Sequence, residues 1–330
     1  MKHNTGQTPS TSSLHRFFFA PYGVRWYIQL LVYGVANFFV SGVSQLLVTG
    51  NLLRHVTALD KATYEQSSFQ ELSYNLEDAL ANFVLAAVLV LLFQLMNKKD
   101  KGTGVGLCVP AGRRLRQTLL GFAVGSLAMG GIALFLMLTG KLAFSPGVIN
   151  LHLIGSLVMF ISVSFAEEVL TRGVMQQTLS RHVHPWAGIL IPSLFFGLMH
   201  MSNGSIGWLA MVNIILAGLF LALACDVTGS LCFPIAFHTA WNFVQGNVLG
   251  LPVSGNDMSY VTVWQGKGAS GMDWLTGGSF GPEASVCSTV VYLLMVTILL
   301  IIRKNKADRD RAHEIHGPGC HGNHQNMVSL

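Results

Sequence analysis

Long apolar runs separated by short polar segments restrict the fold of this chain more than any other feature. The runs cover residues 26–49, 77–96, 117–139, 150–170, 186–201, 207–226, 229–247 and 284–302. About 20 apolar residues in a helix cross the roughly 30 Å hydrocarbon core of a bilayer. An α-helix also satisfies its own backbone N–H and C=O groups, as lipid requires. The runs therefore predict an all-α, polytopic transmembrane helical bundle with about eight spans.

Composition excludes the main alternative, a soluble globular protein. Of the 330 residues, 51% are hydrophobic and 11% are charged, whereas soluble domains contain about 25% charged residues. The net charge is +5, but the basic residues form short clusters between the apolar runs. That distribution orients membrane proteins, so we expect no nucleic-acid partner. The five scattered cysteines contain no C-x-x-C pair and indicate buried thiols without a disulfide framework.

The Lys and Arg clusters predict how the chain is oriented. Basic residues concentrate before the first run, at 97–116, at 171–185 and after residue 302, whereas the alternate connections contain few. With eight spans, all the basic segments fall on one side of the membrane, and Lys and Arg are enriched on the cytoplasmic side. We therefore expect a multi-pass protein of the plasma membrane, surrounded by lipid, with both termini in the cytoplasm.

Ionisable residues inside apolar runs are costly and usually functional. Glu168 and Arg172 are four residues apart on a helix, so they share a face and form a favourable ion pair. Glu167 points about 100° away. It therefore lacks a local counter-charge and is a candidate base for taking a proton from water. Considered alone, this motif also fits a solvated helix end.

Two further polar pairs lie in later apolar runs. Phe196 and His200 are four residues apart, as are His238 and Asn242. A single histidine in such a run is more often a packing residue, and a His/Asn pair is equally suited to hydrogen bonding between helices. His238 and Asn242 could also both donate to one developing oxyanion. A base, a second acid–base group and an oxyanion site are together what amide hydrolysis requires.

Three motifs, FAEEVLTRG at 165–173, FGLMH at 196–200 and HTAWN at 238–242, resemble the signature motifs of the CPBP family. These are the CAAX-protease and bacteriocin-processing intramembrane endopeptidases, also called Abi. The resemblance covers about residues 150–250. It implies that Glu167 and His200 activate the attacking water, that His238 and Asn242 hold the oxyanion, and that Glu168 and Arg172 stabilise the site. It also implies a membrane-associated peptide or protein substrate, either a prenylated CAAX-type protein or a bacteriocin-like peptide.

Metal dependence is a separate question. Glu167, His200 and His238 could supply a His₂Glu zinc site with an open fourth position. The sequence has no H-E-x-x-H motif, in which two histidines one turn apart fix the ion. We favour a metal-free, glutamate-based mechanism without a cofactor, with zinc as the alternative.

The resulting organisation has six parts. They are a cytoplasmic N-terminal segment (1–25), N-terminal transmembrane helices (26–145), a CPBP-like catalytic core (146–250), an extracytoplasmic loop (251–283), a last transmembrane helix (284–302) and a cytoplasmic tail (303–330). The Gly- and Ser-rich loop either folds over the mouth of the bundle or remains a surface loop. We expect the His-rich tail to be solvated.

Two alternative functions remain open from the sequence. An ion- or proton-coupled transporter would explain buried acids and histidines, but it predicts internal repeats, which we do not find. In a non-catalytic scaffold or immunity factor, the same residues would have a binding role without catalysis.

The predicted spans also conflict with the proposed chemistry. They place Glu167 and His200 at depths that differ by roughly 10–15 Å. Water activation requires an approach to about 3 Å, directly or through one water. We therefore expect a boundary of the fourth or fifth span to shift, bringing the site residues to one depth.

Overall fold

The computed structural model describes residues 19–20, 23–49, 68–98, 105–106, 110–257 and 261–316. Eight main helices occur in this part of the chain, one in each predicted apolar run. They are α1 (Trp26–Thr49), α2 (Ser68–Met96), α3 (Ala111–Leu138), α4 (His152–His182), α5 (Pro185–Met199), α6 (Trp208–Thr228), α7 (Cys232–Phe243) and α8 (Val286–His316). The all-α prediction is confirmed.

Strands are few and short in the described residues. A two-residue pair joins β1 (Phe19–Ala20) to β2 (Gly23–Val24), and β3 (Leu142–Pro146) pairs antiparallel with β4 (Trp264–Gly268). The second pair joins the end of α3 to the segment between α7 and α8.

Five of the helices are long and apolar enough to cross a membrane, judged by length and composition over the described residues. The qualifying segments are Asn75–Met96, Ala111–Leu138, His152–His182, Trp208–Thr228 and Val286–Ala312. The apolar stretch Trp26–Val40 and helix α5 are shorter, and α7 has only 12 residues. Large apolar side chains such as Leu80 and Leu127 are exposed on the outer helix surfaces, as expected where a helix faces lipid.

Helix α4 corrects the predicted end of the fourth span. The sequence places that end at residue 170 and puts Arg172 in a basic loop, but the helix continues to His182 through a π-helical turn, Val169–Met175. The prediction fails because Arg172 is fully buried and its charge is met inside the bundle. π-Helical turns within α-helices are frequent at functional sites.

The longer α4 removes the mismatch in depth between Glu167 and His200. The turn between α4 and α5 lies at residues 183–184. Glu167 is 16 residues before Val183, and His200 is 16 residues after His184. In an antiparallel helical hairpin such positions are level, here about 24 Å from the turn at 1.5 Å per residue. The two residues therefore lie at similar depth.

One end of the bundle, here called the basic end, carries most of the described Lys and Arg residues. Contacts between helix termini define this end: Thr178 Oγ1 donates to Gln29 Oε1 (3.4 Å), and Arg303 pairs with Asp226 (2.8 Å). The basic residues there are Arg25, Lys98, Arg113, Arg114, Arg116, Arg181, Arg303, Lys304, Lys306, Arg309 and Arg311. Helix α8 continues to His316 at this end, beyond the predicted boundary at 302, and the His-rich tail from 317 lies outside the described residues.

The opposite end is closed by a folded segment, here called the cap, made of β3 and residues 249–257 and 261–285. Its elements are the β3–β4 pair, a helical turn at Asp273–Thr276 and two 3₁₀ turns before α8. Of the two alternatives for the predicted loop, the structure has the one in which it folds over the bundle.

Helices α3 and α7 pack closely at two glycines of α3. A Cβ atom at Gly121 would lie 2.5 Å from the Phe233 carbonyl oxygen, and one at Gly125 would lie 2.6 Å from that of Phe237. Both distances are too short for any side chain, so only glycine permits this approach. The contact fixes the position of α7, which carries His238 and Asn242.

Candidate active site

The innermost part of the site is a buried ion pair within α4. Arg172 Nη1 lies 3.0 Å from Glu168 Oε1, and neither side chain is exposed to solvent. The guanidinium also donates to Thr171 Oγ1 (2.6 Å) and to the Gly218 carbonyl of α6 (2.9 Å). The sequence predicts this pair from its spacing. The hydrogen bond to α6 adds a connection between helices, since the backbone carbonyl takes one of the guanidinium donors.

His238 connects the two adjacent glutamates. Its Nδ1 lies 3.2 Å from Glu168 Oε1, and its Nε2 lies 3.8 Å from Glu167 Oε2. Because an ionised carboxylate only accepts hydrogen bonds, Nδ1 carries the proton toward Glu168. The imidazole from α7 is thereby held between both acids of α4.

Glu167 differs from Glu168 in its environment. Its side chain keeps 21% of its surface exposed, whereas Glu168 is fully buried. Glu167 Oε2 is itself buried and accepts no hydrogen bond from the described residues. Buried polar atoms are normally paired with protein or water, so this oxygen is suited to bind a reacting water.

His200 is held at the end of α5 by its own helix. Its Nδ1 lies 2.8 Å from the Phe196 carbonyl oxygen, which can only accept, so the Nδ1–H donates and Nε2 is left unprotonated in the neutral ring. This tautomer offers Nε2 as a proton acceptor, the role required of a second acid–base group.

The Phe196 ring brings three site residues together. Its centroid is 4.9 Å from that of His200 and 5.9 Å from that of His238. The Arg172 guanidinium lies over the same ring at 4.6 Å, a cation–π contact. Side chains from α4, α5 and α7 therefore form one cluster around a single aromatic ring.

A small cavity adjoins this cluster. His200, His238 and Asn242 line it, and Asn242 lies one helical turn after His238. The space that the centre of a water molecule can occupy is about 30 Å³, more than the roughly 10–15 Å³ that one water needs. Its apolar wall is formed by Phe196, Ile214, Ala217, Leu221, Phe237, Trp241 and Tyr292.

Glu283 is a residue of this cavity to which the sequence motifs do not point. It lies in the cap, is 7% exposed, and accepts hydrogen bonds from the Ser254 backbone N–H (2.6 Å) and hydroxyl (3.2 Å). Burial raises the pKa of Glu283, and the hydrogen bond from the Ser254 N–H opposes that shift. The available signal was a single acid in a Gly- and Ser-rich segment just before the last apolar run.

The candidate zinc ligands come from three separate helices. Among the described residues, no group of three or more His, Cys, Asp or Glu side chains could hold a metal ion. Glu167, His200 and His238 are all in the described part of the chain. No chemical step through a metal follows from this arrangement, and the metal-free mechanism stays a prediction.

Comparison with known proteins finds one family model that matches part of the chain. Residues 149–244 match the family model described as type II CAAX prenyl endopeptidase Rce1-like. No curated protein and no solved structure matches the chain. The matched segment contains the six candidate residues Glu167, Glu168, Arg172, His200, His238 and Asn242, whereas Ser254 and Glu283 lie outside it. The segment 149–244 is therefore similar to the Rce1-like CAAX prenyl endopeptidases, in agreement with the resemblance of its three motifs to the CPBP family.

Proposed function

We propose that this protein is an intramembrane endopeptidase in which Glu167 and His200 activate a water molecule to hydrolyse a peptide bond. The observation that carries the proposal is the position of His238 between Glu167 and Glu168, beside a water-sized cavity lined by His200 and Asn242. The catalytic unit is the core at 146–250, in a plasma-membrane protein with both termini in the cytoplasm.

The proposed reaction begins with proton transfer from water to Glu167. The water oxygen attacks the carbonyl carbon of the scissile bond, and the carbonyl π electrons move to its oxygen. The C–N bond then breaks, and the proton held by Glu167 passes to the departing amine. His200 orients the water through Nε2, because its Nδ1 is already committed to the Phe196 carbonyl. General acid–base catalysis of this kind contributes about 10²–10⁴-fold to a rate.

The oxyanion of the tetrahedral intermediate is assigned to His238 and Asn242. Nδ1–H of His238 is committed to Glu168 Oε1 (3.2 Å), whereas Nε2 lies 3.8 Å from Glu167 Oε2, beyond hydrogen-bond distance. In the doubly protonated imidazolium, Nε2–H is therefore left to donate to the oxyanion. Such a cation, with the Asn242 amide one turn away, stabilises negative charge developing on the carbonyl oxygen. Glu168 and Arg172 hold the imidazole in place without taking part in the proton transfers.

The test is cleavage of quenched fluorescent peptides by the purified protein in detergent. The panel contains matched prenylated and unprenylated CAAX-type peptides and a bacteriocin-like leader peptide. We expect the wild type to cleave at least one peptide, and Glu167→Ala and His200→Ala to lose that activity. His182→Ala is the matched control, because His182 makes the same bond to a carbonyl four residues earlier (2.9 Å to Thr178) but lies at the basic end.

Three outcomes would contradict the proposal. Cleavage that survives both substitutions would reject the assigned residues. Loss of cleavage on chelation, with recovery when zinc is restored, would reject the metal-free mechanism. Peptide binding without turnover by the wild type would favour a scaffold.

A further inference from the structure

The distribution of charge fixes which end of the bundle faces the cytoplasm. Among the described residues, the cap end carries two basic side chains, Lys141 and Lys267, whereas the basic end carries the clusters at the starts of α1 and α3 and the end of α8. Lys and Arg close to the ends of membrane helices are enriched on the cytoplasmic side. The basic end is therefore cytoplasmic, and the cap lies on the opposite side of the membrane.

The path from the basic end to the site is closed by packed side chains. Gln176 is one turn beyond Arg172 on α4 and donates to the Ala222 carbonyl of α6 (3.0 Å). Arg172 donates to the carbonyl of Gly218, which lies on α6 one turn before Ala222. Thr178 and Leu179, the next residues toward the cytoplasm, are 1% and 2% exposed. Interiors packed in this way contain few gaps larger than a water molecule.

On the other side the cavity ends directly under the cap. Ser254 and Glu283 both line the cavity. They come from two segments of the cap, which the hydrogen bond from the Ser254 N–H to Glu283 holds together. His200 ends α5 at this level and is followed by the exposed Met201. Asn203 in the same loop donates to the Ser254 carbonyl (2.9 Å). Surface segments alone therefore separate the cavity from the aqueous phase at the cap end.

We infer that the substrate reaches the site from the cap end, so that this protein cleaves peptide segments exposed at the extracytoplasmic face of the membrane. The inference rests on the proposed function and adds its substrate class. The expected substrate is an exported or membrane-anchored peptide chain, presented in extended form at the outer interface. A prenylated C-terminus held at the cytoplasmic leaflet would lie at the closed end.

The experiment compares membrane vesicles of opposite sidedness that contain the full-length protein. The probe is a quenched peptide with charged ends that cannot cross the bilayer, chosen because the detergent-solubilised wild type cleaves it. We expect right-side-out vesicles to cleave it at a rate that detergent does not change. Inverted vesicles should cleave it only after detergent is added. Glu167→Gln, prepared in both kinds of vesicle, gives the background rate.

Sidedness is measured on the same protein by labelling with an impermeant maleimide. Ser270→Cys places a thiol on the exposed surface of the cap, and Asn305→Cys places one on the exposed end of α8. The unsubstituted chain gives the background from its own cysteines. We expect Ser270→Cys to react from outside right-side-out vesicles and Asn305→Cys to react from outside inverted ones.

The two proposals fail in different ways. Cleavage by intact inverted vesicles, at a rate equal to or above that of right-side-out vesicles, would overturn the inference and leave the peptidase standing. The reverse labelling pattern would overturn it as well. Absence of cleavage of the whole peptide panel in detergent would instead reject the proposed function.

Discussion

At the scale of single residues, the site depends on charges that are buried but matched. Arg172 has no solvent exposure, yet its guanidinium contacts a carboxylate, a hydroxyl and a backbone carbonyl. Glu168 in turn bonds both Arg172 and His238 through one oxygen. Isolated charges at such positions would be strongly destabilising. The matching lets the bundle hold an ionic group next to an apolar wall.

Removing the Glu168 carboxylate should therefore destabilise the protein strongly. Glu168→Ala leaves Arg172 buried without its counter-charge, and breaking a buried pair in this way costs about 3–5 kcal/mol. We expect a clear drop in the thermal unfolding midpoint in detergent. Asp308→Ala is the control, since its pair with Arg311 (3.2 Å) is 52% and 72% exposed. Equal effects of the two substitutions would show that the buried pair has no special role.

Glu283 should make the stability of the cap depend on pH. Burial raises the pKa of Glu283, so folding favours its neutral form. A raised pKa stabilises the folded state fully below the ordinary glutamate pKa, about 4.3. That contribution is lost as the pH rises through the raised value. Glutamine stays neutral, so the unfolding midpoint of Glu283→Gln should rise relative to wild type across this interval.

The measurement is thermal unfolding of both proteins from pH 4 upward, with the exposed substitution Asp310→Asn as the control. The difference between Glu283→Gln and wild type should change with pH more than the difference between the control and wild type does. A constant difference for Glu283→Gln would mean that the carboxyl is not held in its neutral form by burial.

At the scale of helices, the α3–α7 contact determines where the oxyanion groups lie. Gly125→Ala places a methyl group 2.6 Å from the Phe237 carbonyl oxygen, whereas a methyl at Gly130 of the same helix meets no atom within 4 Å. Overpacking of this kind costs about 1–3 kcal/mol. We expect Gly125→Ala to lower both the unfolding midpoint and the peptidase rate, because α7 must move away.

Gly130→Ala should lower neither the unfolding midpoint nor the peptidase rate, because its methyl group meets no atom within 4 Å and alanine favours a helix more than glycine does. If Gly125→Ala is equally silent, then close packing of α3 on α7 does not set the position of His238.

Helix α4 also shows what a sequence alone can predict. The i to i+4 spacing is enough to pair Glu168 with Arg172, and the apolar run is enough to place the helix. The continuation to His182 is not predictable in the same way, because a basic residue in a linear sequence suggests a loop. The carbonyl of Gly218 on another helix completes the set of partners that makes Arg172 compatible with the interior. Glu283 was missed for the same reason, since its partner Ser254 and the cavity come from tertiary structure.

At the scale of the whole molecule, the helices hold three polar motifs that are distant in sequence around one ring and one cavity. The hairpin of α4 and α5 places Glu167 and His200 at similar depth in the bundle. The close packing of α3 on α7 positions His238 beside them. The unequal numbers of Lys and Arg at the two ends of the bundle are the basis for the inferred orientation of this site in the membrane. The central claim is that Glu167 and His200 act as one unit on one water molecule.

The most direct test of that claim is a double-mutant cycle on the peptidase rate constant kcat in detergent. Glu167→Gln and His200→Ala are measured singly and together, with unfolding midpoints recorded for each. Each single substitution should lower kcat by about 10²–10⁴-fold. Residues that act as a unit are strongly non-additive, so the double variant should be no slower than the slower single variant. If the loss of kcat in the double variant equals the product of the two single losses, the two residues do not act on a shared water molecule.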